Sequence, residues 1–330
     1  MRNGTVISFF LLGLTNDPQP QVLILILLFL IYMLSVTGNL TIITLTFMDS
    51  HLKTPMCFFL KNFSFLEISF TSACIPRYLY NIATGNKVIT YNACMSQVFF
   101  TDICGAIELF LLAAMSYDRY VAICKPLHYV TIMSSRVCGI VIICCWMAGL
   151  CVITPLLCLL LNLEFCDPNM LDHFTCDAFP LVKISRSDTW IVEQTVDISA
   201  ALTLNMTLIC VVLSYGSIIR TIFRFPSVRQ RKKALLTCSS HMIVVSITYG
   251  TCIFIYTNPA AKEEVTTNKL VSLLISSVSP TLSPFIYTPR NKQVKKAFKD
   301  SFERLALLST KRKFFFFISR NRSMALDIFP

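Results

Sequence analysis

Asp118, Arg119 and Tyr120 stand together where the third long apolar run of the chain ends. Charge is costly at a membrane–water boundary unless it serves a purpose, so an adjacent acid and arginine there are functional candidates. Ten residues earlier lies Glu108, about 15 Å away along a helix and so near the middle of a roughly 30 Å hydrocarbon layer. Glu67 is a second acid inside an apolar run. Ionisable groups at such depth are functional candidates. With Asn39, Ser279 and Ser283, the two glutamates could form a polar core that holds sodium, water or a shared proton. Two close carboxylates favour one staying protonated. Patterns for catalysis are absent. The four histidines, His51, His128, His173 and His241, form no HExxH set, and no Walker or nucleophile-elbow sequence occurs, so neither an enzyme nor a cofactor is expected. His241 lies near the inner end of an apolar run, where a structural or switching role is open to it.

The segments that must position these residues are membrane helices. The 330 residues are 55% hydrophobic and only 14% charged, against about 25% charged in soluble domains. Apolar runs long enough to span a bilayer predict an all-α bundle over 22–289, with helices at about 22–47, 55–79, 93–117, 137–161, 196–219, 234–257 and 269–289. Residues 1–21 are expected as an outer tail, and 290–330 as a cytoplasmic tail. In the latter, Val294, Ala297 and Phe298 share one face of an amphipathic helix over about 291–300 that would lie on the inner membrane surface. With the N-terminus outside, 21 lysines and arginines fall on inner segments and seven on outer ones, the expected bias. The net charge of +11 therefore reflects topology and attraction to anionic lipid, not nucleic-acid binding. Asn3 heads the one glycosylation pattern that this topology leaves outside. Of the 15 cysteines, Cys94, Cys166 and Cys176 face the oxidising side. Cys176 can tie the long acidic loop over 162–197 to Cys94, holding it as a lid over the bundle.

Residues 115–129, MSYDRYVAICKPLHY, carry a more specific signal. Together with Pro55-Met56, Ser214-Tyr215, KALLTCSSH at 233–241 and PTLSPFIY at 280–287, they resemble the motifs of olfactory receptors within the rhodopsin-like, G-protein-coupled class. The texture is similar to the tetrapod class II group, near family 6 subfamily C. The resemblance implies an odorant receptor with seven membrane helices in the plasma membrane, its N-terminus extracellular. A small volatile ligand would bind in the outer half of the bundle, beside Thr101, Asp102, Gly105, Ala106, Ser199, Thr203, Tyr249, Cys252, Ile253 and Tyr256. It would activate a stimulatory, olfactory-type heterotrimeric G protein and raise cyclic AMP. Asp118, Arg119, Tyr120, Tyr215, His241, Pro284 and Tyr287 would form the coupling switch. Arg119 would be held by Asp118 at rest and turn toward Tyr215 and Tyr287 on activation.

The chain departs from the family pattern at four places. Arg186 stands where a third loop cysteine is usual, leaving Cys166 without its expected partner. Ser283-Pro284 replaces the usual Asn-Pro, Pro289 replaces a common leucine, and the tail beyond about residue 305 is long. A non-olfactory chemosensory receptor would share the same coupling chemistry. A transporter or channel is the more distant alternative, and no internal repeat supports it.

Overall fold

The structure is a computed structural model and describes residues 8–15, 17–48, 54–165, 169–257 and 265–290. Asn3, Cys166 and the segment 291–300 lie outside the described residues. In chain order the elements are strand β1 (Ser8–Leu11), helices α1 (Pro18–Met48) and α2 (Pro55–Thr84), strand β2 (Val88–Thr90), and helices α3 (Tyr91–Cys124), α4 (Tyr129–Ile132) and α5 (Ser135–Leu161). Then come strand β3 (Met170–Leu171) and helices α6 (Ala178–Ile184), α7 (Trp190–Arg224) and α8 (Val228–Thr257). The last rod is built from α9 (Val265–Leu273), a π-helical turn (Leu274–Val278) and α10 (Ser279–Arg290).

Six of these rods are long and apolar enough to cross a membrane. The seventh, α2, carries Lys61, Glu67 and Arg77. Its ends are set locally. The Thr54 hydroxyl accepts from the Cys57 N–H at 3.4 Å, Pro55 opens the first turn, and Gly85 closes the last at φ 70°, where a side chain would be strained. Several helices outrun their apolar stretches: α7 begins at Trp190 and α3 ends at Cys124. Hydropathy marks membrane depth, whereas a helix continues into water as long as its backbone bonds are satisfied.

Helix α3 is the central rod, packed against α2, α5, α7 and α8, and half of its most apolar stretch is buried. In α1 the corresponding share is 11%, because Val22, Leu23, Ile26, Phe29 and Leu30 stand exposed where lipid would cover them. Helices α3 and α5 pack tightly at Gly149. A Cβ there would lie 2.5 Å from Cγ1 of the fully buried Ile107. Gly149→Val is therefore expected to destabilise the bundle by about 1–3 kcal/mol, as overpacking does. The thermal midpoint of purified receptor should fall, and Ile107→Ala in the same chain should recover part of the loss. An unchanged midpoint would refute the tight crossing.

One end of the bundle carries a small three-stranded sheet of order β2-β1-β3. The lysine and arginine bias predicts that this end faces outward, and it is termed the outer end. Strand β1 pairs antiparallel with β2 (Phe9 opposite Ile89) and parallel with β3 (Leu11 opposite Leu171). Phe9 is fully buried, edge-on to Phe165 at 5.1 Å. Part of the segment expected as a tail is thus the middle strand of the cap, and α1 starts at Pro18 rather than near 22. A disulfide joins Cys94 at the head of α3 to Cys176 in the long loop.

Candidate functional site

At the inner end of α3, Asp118 is fully buried. Its Oδ2 lies 3.1 Å from Nη2 of Arg119, and its Oδ1 accepts from the Tyr129 hydroxyl at 2.8 Å. Tyr129 reaches it from α4, in the loop that follows α3. Burial, reinforced by the neighbouring Asp118 charge, pushes the Tyr129 phenol above its ordinary pKa, so it remains a donor. Arg119 keeps 11% of its side-chain surface exposed, and its buried Nε has no hydrogen-bond partner among the described residues. The pair is thus closed on the Asp118 side and incomplete on the arginine side.

Across the interior, the Tyr215 hydroxyl meets Nδ1 of His241 at 2.6 Å, with the two rings stacked. Both residues are buried, and they join α7 to α8. This assigns His241 a partner that its position in the sequence left open. Tyr120 instead faces Tyr117, and Lys125 lies over its ring.

The polar core lies deeper in the bundle. The Ser283 hydroxyl donates to Oε1 of Glu67 at 3.0 Å, both groups being buried. Glu108, within Coulombic reach of Glu67, accepts from the Thr248 hydroxyl at 3.2 Å. Asn39 donates to the carbonyls of Ser35 and Pro280, each at 3.0 Å. The second bond has a local cause: Pro284 has no N–H for the Pro280 carbonyl one turn earlier, and Asn39 supplies the missing donor from α1. The same turn packs tightly, with a Cβ on Gly38 only 3.0 Å from Cβ of Pro284. The side chains of Ser279, Tyr287 and Tyr256 lie outside the described ones.

Toward the outer end, Thr101, Asp102, Gly105 and Ala106 lie on α3, Ser199 and Thr203 on α7, and Tyr249, Cys252 and Ile253 on α8. A Cβ at Gly105 would meet nothing within 4 Å, so open space adjoins α3 there. Thr203 and Tyr249 are buried, and the Tyr249 hydroxyl points to the Leu109 carbonyl at 3.5 Å. The Thr101 and Ser199 hydroxyls bond to their own helices. Ile253 is 37% exposed and stands apart from the buried group. Asp102 has Asp177 of the long loop within Coulombic reach.

That loop is held down at several points. Lys269 pairs with Asp172 at 2.5 Å, Gly13 donates to the His173 carbonyl at 3.1 Å, and the His173 ring stacks on Phe174. Burial holds the His173 imidazole below its ordinary pKa, so the ring sits neutral inside the cap. Thr248 and the Gly13–His173 contact carry no individual sequence signal, and Tyr129, though it ends the 115–129 motif, gives no sign there of its bond to Asp118. Among the described residues, no group of three His, Cys, Asp or Glu side chains is gathered for a metal ion.

Known proteins resemble this chain in sequence and in fold. A family profile described as olfactory receptor matches residues 28–304. Human olfactory receptor 6C2 is 68% identical over 312 residues, covering 94% of this chain and all of the relative. Human olfactory receptor 6C68 is 65% identical over 307 residues, covering 93% of this chain and 98% of the relative. The crystal structure of squid rhodopsin superposes with a TM-score of 0.66 at 17% identity, over 88% of this chain and 87% of that one, a likeness of fold.

Proposed function

The chain belongs to the olfactory receptor family, and from that premise we propose how it detects and reports an odorant. A small volatile ligand binds in the outer half of the bundle between α3, α7 and α8, and Gly105 leaves open space beside α3. Thr203 and Tyr249 offer polar contacts there, and Asp102 favours a ligand bearing a donor or a positive charge. The receptor lies in the plasma membrane with its N-terminus outside and Asn3 glycosylated. Binding is relayed past the polar core of Asn39, Glu67, Glu108 and Ser283, which holds water, sodium or a shared proton. At the inner end Arg119 leaves Asp118, α8 swings outward, and a stimulatory, olfactory-type G-protein alpha subunit enters the cleft and raises cyclic AMP. The inner cations at Arg229, Arg231, Lys232 and Lys233 flank that cleft.

The observation that carries this reading is the inner corner. A buried carboxylate holds an adjacent arginine with help from Tyr129, while Arg119 retains an unused donor. A group held that way is poised to exchange one partner for another. The test is a cyclic-AMP reporter screen against an odorant panel in cells with confirmed surface receptor. At least one odorant should evoke a saturable rise. An odorant response carried by another second messenger, with cyclic AMP flat, would overturn the stimulatory assignment.

A further inference from the structure

The cap over the bundle is tied to α3 by one covalent bond, and one bond fixes a point rather than an orientation. A second tie lies one helical turn further along. Gln97 follows Cys94 by three residues and so shares its face of α3. The side chain is 6% exposed, and both ends of its amide are used. Oε1 accepts from the backbone N–H of Cys176 at 3.0 Å, and Nε2 donates to the Ala73 carbonyl of α2 at 2.7 Å. Ala73 stands three residues before Pro76, which lies inside α2 and removes a backbone donor from that helix. Gln97 therefore bridges the loop at its disulfide, the central helix, and the interrupted turn of α2.

We infer that Gln97 is the positioning residue that sets the orientation of the loop over the odorant pocket, by clamping the Cys176 amide to the Pro76 turn of α2. The requirement is strict, because the loop offers a donor and α2 an acceptor, and an amide of this length supplies both complements. Asp177, next in the chain after Cys176, lies within Coulombic reach of Asp102, one of the expected ligand-site residues. A change in the loop's tilt at Cys176 therefore changes which groups a ligand meets. This inference rests on the ligand-binding reading above for its consequence, but not for its geometry.

Two variants separate a clamp from simple packing. Gln97→Met keeps the length and loses both bonds. Gln97→Glu keeps an acceptor for the Cys176 N–H. Hydrogen–deuterium exchange on purified receptor should show the segment 173–178 exchanging about tenfold faster in Gln97→Met and close to the parent rate in Gln97→Glu, as expected for one lost hydrogen bond. At matched surface level, Gln97→Met should also shift the odorant half-maximal concentration upward by about tenfold while leaving basal cyclic AMP unchanged. Equal exchange in both variants, or an unshifted half-maximal concentration in Gln97→Met, overturns the clamp. Should the parent receptor answer no odorant, the functional reading fails alone, and the exchange measurement still decides the role of Gln97.

Discussion

Arg119→Ala is expected to abolish the odorant-evoked cyclic-AMP rise while leaving the receptor folded and at the cell surface. The guanidinium is the partly exposed half of a pair whose other half is fully buried and held by Tyr129. Each hydrogen bond to a charged group contributes about 1.5–3 kcal/mol, so the resting pair biases the inner corner about ten- to a hundredfold toward the closed form. The proposed active form places the same guanidinium elsewhere, and alanine has nothing to place there. The converse substitution separates holding from signalling. Asp118→Asn removes the charge that retains Arg119 and should raise basal cyclic AMP with no ligand present. Tyr129→Phe should do so more weakly, since it removes one of the two bonds to Asp118. A full odorant response in Arg119→Ala at equal surface level would end the proposed coupling role.

This corner was legible before any coordinates because it is local. Asp118 and Arg119 are neighbours in the chain, and hydropathy alone puts them at a membrane edge. The helices were legible for the same reason: a run of apolar residues long enough to cross hydrocarbon has few folded alternatives. What escaped were the pairings between distant segments. Tyr215 and His241 are 26 residues apart, and Ser283 and Glu67 are 216 apart: depth and family resemblance group them in one switch and one polar core, but nothing in the local pattern gives the individual bond. Strand β1 escaped for a related reason. Four residues, Ser8–Leu11, become a strand only because β2 and β3 lie on either side to take their backbone bonds. The π-helical turn at Leu274–Val278 holds no proline or glycine, so no residue within it marks the change of winding. It precedes Pro280 and Pro284, where the rod meets Asn39 of α1 and Glu67 of α2. Ser283 bonds the glutamate there through its hydroxyl.

Cys94→Ser should remove most of the receptor from the cell surface, and the cap shows why a single thiol has so large an effect. The Cys94–Cys176 bond closes a loop spanning 82 residues. In the chain-entropy account such a cross-link stabilises the folded state by roughly 4–5 kcal/mol. That is comparable with the whole stability of many folded domains, about 5–15 kcal/mol. Both sulfurs sit in a cluster of buried residues that includes Phe9, Leu11, Ile89 and Leu171, one or more from each strand of the cap. Losing the bond lets the long loop lift. β3 then leaves β1, and Phe9 and Leu11 lose the surface that buries them. The effect thus propagates to a strand more than 80 positions away in the chain, because the sheet has only two ladders and one of them rests on the tethered loop. Cys176→Ser and the double replacement should lower surface staining to the same level as Cys94→Ser, since all three delete one and the same bond. A double replacement that restores surface staining would show that an unpaired thiol, rather than the missing tether, causes the defect. Normal staining in Cys94→Ser would remove the tether from the account altogether, and with it the anchor from which the cap is held over the ligand pocket.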